Sequence, residues 1–151
     1  MRTMTLARFG CALPPLNPDL GGMTQTKAQA LGALGERIAA RWLMREGWQV
    51  VDRRWRSGRR DLDLVAVREN VVAFVEVKTR RSTWSGGPLE AVNWRKQREL
   101  TRSAQAWLDQ RGVLVAPTGA AFRFDIVGVL ASRERVGVRH VEAAFPAFAA
   151  Q

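Results

Sequence analysis

The sequence predicts an α/β domain in which helices flank a central mixed β-sheet, and three observations carry that prediction. Apolar residues recur at helical spacing over 24–46 and again over 88–111. Runs rich in Val and Phe, of strand length and broken by turn residues, fill the rest. The order is helix, three strands, helix, strands, which is how a chain alternates when helices cover a sheet.

The first 22 residues carry Pro14, Pro15, Pro18 and Gly21-Gly22 without a helical or strand period, so they read as a disordered leader, with Met23 as an alternative start and 23–151 as a single domain. In the first helix Leu31, Leu34, Ile38 and Trp42 form one apolar face, and Gly47 ends it. A strand is expected over 48–56, with a turn at Ser57-Gly58. Strands over 61–67 and 71–78 form a hairpin around Arg68-Glu69-Asn70. The second helix has Pro88 near its first position and turns Leu89, Val92, Leu100, Ala104 and Trp107 inward. Further strands are expected over 113–116, 121–130 and 136–142.

Composition narrows the chemistry. The chain has 151 residues, with 24 Lys+Arg against 14 Asp+Glu, a net charge of +10. This length suits one domain that buries roughly 70% of its unfolded surface. Cys11 and His140 are the single Cys and single His. A disulfide framework is therefore excluded, and a structural zinc site or a His-based nucleophilic mechanism is poorly supplied. No apolar run reaches the roughly 18 residues of a membrane span. Arg8 interrupts any signal core, so a cytoplasmic protein without a membrane partner is expected. The basic balance points to a polyanion such as nucleic acid.

The hairpin register is the most informative step. A turn symmetric about Glu69-Asn70 sets Val67 opposite Val72, Val65 opposite Phe74, Asp63 opposite Glu76 and Asp61 opposite Lys78. A slip of one residue would set charged residues against apolar ones. One face is then Leu62, Leu64, Ala66, Ala73, Val75 and Val77, and the other turns from apolar to charged at Asp61, Asp63, Glu76 and Lys78. Opposed carboxylates about 5 Å apart repel unless a cation sits between them. Mg2+ or Mn2+, hard ions that take oxygen ligands, would serve, and Lys78 would face the same site. Spacing alone leaves a solvated strand end as an even alternative.

Asp63, a twelve-residue spacer and Glu76-Val77-Lys78 resemble the split signature of the PD-(D/E)XK nuclease superfamily. More of the chain is similar to one branch, the uncharacterised bacterial YraN-type family. The matching blocks are Gly35-Glu36-Arg37-Ile38-Ala39, Asp61-Leu62-Asp63-Leu64-Val65, Phe74-Val75-Glu76-Val77-Lys78-Thr79-Arg80, Gly87-Pro88, Ala91-Val92, Lys96-Gln97 and Arg123-Phe124-Asp125-Ile126-Val127. The resemblance implies a restriction endonuclease-like three-layer fold, related to Holliday-junction resolvases, and a Mg2+-dependent endonuclease acting on DNA. By the same resemblance Asp63, Glu76 and the Val77 carbonyl would bind the metal, Glu36 would complete the site, and Lys78 would assist the attacking water. The family usually has Gly-Glu where this chain has Arg60-Asp61, so any role of that position is in doubt.

Arg53, Arg54, Arg56, Arg59, Arg60, Arg80 and Arg81 would rim the cleft and bind nucleic acid, with Lys96 and Gln97 entering it from the second helix. Trp55 and Trp84 are candidates for stacking on a base, with core packing the commoner fate. Asp125 suits a structural pair with a neighbouring Arg. Two competing functions remain: a nucleic-acid-binding module that keeps the groove without cutting, and an adaptor for an acidic protein. A homodimer is compatible with either.

Overall fold

The computed structural model describes residues 2–6, 25–82 and 92–147. The helix α1 spans Lys27–Arg45. Its N-cap is Thr26, whose hydroxyl accepts the Gln29 N–H while the Gln29 side chain accepts the Thr26 N–H, a reciprocal capping box. It ends at Gly47, whose φ of 87° is open to glycine at no steric cost. Numbering the strands in chain order, β1 is Arg2–Leu6, β2 Gln49–Ser57, β3 Arg60–Arg68, β4 Val71–Arg80, β5 Ala121–Ala131 and β6 Val136–Phe145. The second helix, α2, spans Trp94–Trp107.

One six-stranded sheet has the order β1-β6-β5-β4-β3-β2. β4 and β5 run parallel, joined by the crossover that contains α2, and the other neighbours are antiparallel. The sheet is therefore mixed, as expected. Ala39, Ala40, Trp42 and Leu43 of α1 pack on Leu64, Ala66, Ala73, Val75, Val127 and Val129. Leu100, Ala104 and Trp107 of α2 pack on Val65, Val72, Phe74, Phe124 and Ile126. Alternation along β3 and β4 thus feeds two cores, one per face, giving three layers of the restriction endonuclease-like kind.

Two expectations need correction. The leader was read as strandless, yet Arg2–Leu6 pair antiparallel with β6; its other residues, with Cys11 and Met23, lie outside the described set. The run Val113–Val115 is a last helical turn rather than a strand. It follows a wide π turn over Leu108–Gly112, Gly112 stays helical, and Val113 and Leu114 project into solvent with no sheet to join. β propensity in a short Val-Leu-Val run was outweighed by helical continuation. The helix start near Pro88, with Gly87, Leu89 and Ala91, lies outside the described residues; α2 begins after Asn93, whose side chain accepts the Lys96 N–H at 2.9 Å.

Candidate active site

β3 and β4 pair in the expected register, from Arg68 opposite Val71 to Leu64 opposite Val75. There the ladder stops, one pair short of the carboxylates. β4 continues along β5 as far as Arg80, and β3 continues along β2 as far as Arg60, so the two central strands splay. Asp63 is therefore not a ladder partner of Glu76, as the symmetric hairpin had suggested. Its Oδ2 instead accepts the Val77 N–H at 2.8 Å, satisfying a backbone donor at the open end of the ladder. Leu62 leaves Leu64 and packs with Trp55 in the α2-side core, so strict alternation breaks at Asp63. Bulging explains the break: β2 shifts register between Val50 and Asp52, and Arg54 sits in left-handed backbone at φ 49°.

The third carboxylate arrives from α1. A Cβ on Gly35 would lie 1.8 Å from Thr79 Oγ1, so only glycine lets the helix approach β4 this closely. That approach carries the next residue, Glu36, to the splayed strands. Arg54 Nε lies 3.3 Å from Glu36 Oε2, and Lys96 Nζ lies 3.5 Å from Glu76 Oε2. Burial pushes Glu76 up to about 7, with Asp63 adding to the rise and Lys96 and Lys78 opposing it. Burial likewise raises Asp63, against the Val77 hydrogen bond and the Lys96 and Arg54 charges, and Asp61 adds a like charge. Glu36 is raised by burial and then by Asp63, with Arg54 and Arg56 opposing. Asp63 is thus the electrostatic hub, coupled to both other carboxylates.

This constellation falls inside a recognised family. A family model described as Uncharacterised protein family UPF0102 matches residues 35–129, which contain Glu36, Asp63, Glu76, Lys78 and Lys96. The chain belongs to the UPF0102 family. It is similar to a UPF0102 protein of Alkaliphilus metalliredigens, 38% identical over 72% of this chain and 91% of the relative. A UPF0102 protein of Rhodococcus jostii is 41% identical over 77% and 96%, and one of Beutenbergia cavernae 45% identical over 75% and 91%. The PD-(D/E)XK resemblance is consistent with UPF0102 membership.

The donors of this UPF0102 site suit a hard divalent cation. Among the described residues no three acidic, Cys or His side chains converge tightly enough as placed to ligate one ion together. Two carboxylates, a main-chain oxygen and waters are nonetheless a sufficient set for Mg2+. The buried Glu36 Oε2, close to Arg54 yet without an aligned hydrogen bond, is an acceptor in search of a partner.

The expected rim is spread over two elements. Arg56 lies opposite Asp61, Arg59 sits in the β2–β3 turn with Gly58, Arg60 begins β3 opposite Ser57, and Arg80 and Arg81 are exposed at the end of β4. Arg53 turns towards α1, its Nη2 3.9 Å from Met44 Sδ. Gln97 spends its amide on the Val92 carbonyl at 2.7 Å. Trp55 is buried, 5% exposed, and cannot stack on a base, because the bulge turns it under α2; Trp84 lies outside the described residues. Sequence reasoning missed the two ion pairs on Glu36 and Glu76. A helical Lys twenty residues after an acid gives no periodic signal that would have found them.

Proposed function

We propose that this protein is a metal-dependent nuclease that hydrolyses phosphodiester bonds in DNA. The observation that carries the reading is the coupling of Glu36 and Glu76 to Asp63, each of the three raised by burial, at a point where β3 and β4 part. A chain does not bury mutually repelling carboxylates for stability, and perturbed acids of this kind cluster at functional sites. Asp63, Glu76 and the Val77 carbonyl would hold Mg2+ or Mn2+, with Glu36 behind them. When bound, such an ion neutralises phosphate charge and activates water. Lys78, two residues past Glu76 on β4, donates towards the phosphate or the attacking water; its ammonium has donors and no acceptor, so it does not ligate the ion. Arg56, Arg59, Arg60, Arg80 and Arg81 supply positive charge for the backbone, and the family resemblance favours DNA over RNA.

The test is cleavage of single-stranded, duplex, flap and four-way DNA with Mg2+ or Mn2+. Lys78→Ala is expected to lower the rate about 100-fold while sparing metal binding, the effect of deleting one electrostatic donor. Asp63→Ala is expected to abolish cleavage with most DNA affinity retained. Activity that survives unchanged in Asp63→Ala, or no cleavage of any substrate by the pure protein, would leave the non-cutting module as the better account; Asp61, at a position where the family usually carries Glu, is what keeps that second reading in play.

A further inference from the structure

Two of the three carboxylates already hold a cation, and the two cations are not equivalent. Arg54 is fixed by left-handed backbone in a bulged strand, and its guanidinium approaches Glu36 without an aligned hydrogen bond. Lys96 differs. Its backbone is locked in the first turn of α2 by the Asn93 cap, and the next residue is tied to Val92. Its ammonium, on a flexible four-carbon stem, reaches Glu76 from a side chain that remains 36% exposed. The anchor cannot shift, whereas the charge can swing into solvent without disturbing the helix.

We propose that Lys96 is a resident counter-ion which the divalent cation displaces from Glu76, and that the released ammonium then binds a phosphate of the nucleic-acid substrate. This inference rests on the nuclease reading and deepens it. Two cations cannot both sit against one carboxylate without repelling, so metal entry and the Lys96 contact exclude each other. Once the ion is in, Asp63 and Glu76 are neutralised while Lys78 and Lys96 stay positive beside them. The loaded site then carries surplus positive charge, which a phosphodiester offsets. Metal loading and phosphate binding are thereby coupled through one side chain, and the empty site keeps its carboxylates compensated.

The inference predicts opposite changes in two affinities. Direct titration with Mn2+ at about pH 8, above the Glu76 range, should show Lys96→Met binding the ion about fivefold more tightly than wild type, because a competitor worth about one salt bridge is gone. Lys96→Gln should behave the same, and Lys96→Arg should stay near wild type. For a short DNA duplex, adding Ca2+ should strengthen binding of wild type more than of Lys96→Met. The Ca2+-induced steepening of log affinity against log salt should shrink by about one in the variant, the signature of one lost phosphate contact. Unchanged or weaker Mn2+ binding in both Lys96→Met and Lys96→Gln would overturn the counter-ion role. Asp63→Asn separates the two failures. If Mn2+ binding is lost in Asp63→Asn while Lys96→Met gains nothing, the counter-ion role alone fails; if wild type binds no Mn2+, or Asp63→Asn binds it as well as wild type, the nuclease reading falls with it.

Discussion

Asp125 on β5 is a buried acid and the Asp63–Glu76 pair on β3 and β4 is partly buried, and the two groups meet burial in opposite ways. Asp125 is 1% exposed and fully answered. Its Oδ2 accepts from His140 Nε2 at 2.7 Å and from Arg123 Nη2 at 3.0 Å. Its Oδ1 accepts the Ala143 N–H at 3.0 Å and lies 2.9 Å from Arg123 Nε. Trp48 lies under the guanidinium groups of both Arg68 and Arg123, and Trp42 meets His140 edge-on. Asp63 accepts one backbone N–H, Glu76 faces Lys96 at 3.5 Å with Lys78 adding positive charge, and Glu76 also meets the like charge of Asp63. Both oxygens of Asp125 are matched, although Arg123 Nε and Trp48 Nε1 beside it have no aligned hydrogen-bond partner, whereas Glu76 meets the like charge of Asp63. Burial alone therefore does not distinguish the two clusters; how each carboxylate is matched does.

Mutation should separate the two most sharply in stability. Asp125→Ala strands Arg123 and His140 under Trp42 and Trp48, and a loss of about 3–5 kcal/mol is expected from urea unfolding. Asp63→Asn keeps an oxygen for the Val77 N–H and removes a repelling charge, so without metal it should be neutral or stabilising by up to about 1 kcal/mol. A large loss in Asp63→Asn would erase the distinction drawn here.

pH provides the next contrast. Between about 4.5 and about 7 the folded protein holds a proton on Glu76 that the unfolded chain has released. Folded stability conferred through this group is therefore full below the unfolded value and declines as pH rises through the folded one. The decline should be on the order of 1–3 kcal/mol, discounted for partial exposure. Urea midpoints of wild type and Glu76→Gln at about pH 5 and about pH 8 check this, because the variant should lose most of the slope. Equal slopes would mean that Glu76 is better paired than its surroundings indicate.

The least direct effect belongs to the glycine that brings the helix to the site. Gly35→Ala forces its new methyl into Thr79, and relief requires α1 to move off β4, at a cost of about 1–3 kcal/mol. Such a move retracts Glu36, so the unmatched cluster should lose metal response while the Asp125 cluster keeps its packing. Melting curves with and without Mn2+ distinguish this from uniform loosening.

Much of this was legible in the sequence, for identifiable reasons. The hairpin register followed from apolar pairing and a two-residue turn, both of which act between near neighbours, and Leu64 to Arg68 obey it. It failed at Asp63 because a third strand, bulged between Val50 and Asp52 and left-handed at Arg54, redirects the chain, and nothing in the Asp61–Val65 run encodes that. Asp125 was expected to pair with a nearby Arg, and Arg123 does so two residues away on the same strand. The His140 contact with Asp125 gives no local signal in the sequence, because it crosses from β6 to β5 and the register there includes a shift between Phe124 and Ile126. In α1 the Leu31, Leu34 and Ile38 stripe is only partly buried, while Ala39, Ala40 and Leu43 lie deeper. Hydropathy ranked the larger residues first, but the closeness set by Gly35 favours small ones.

The parting of β3 from β4 has a mechanical meaning. Beyond Leu64 the β2–β3 ribbon is held by the packing of Trp55 and Leu62, by the single Asp63–Val77 hydrogen bond and by Gln110 on Ser57 near its tip, rather than by a ladder to β4. Hydrogen-bonded ladders fix register, whereas apolar contacts are non-directional and allow sliding. The ribbon is thus a cantilever with Arg56, Arg59 and Arg60 near its tip and Asp63 close to its root, while Glu76 and Lys78 stand on a strand clamped along its other edge to β5. Load applied to the tip would reach Asp63 first and pass to β4 through its hydrogen bond with the Val77 N–H.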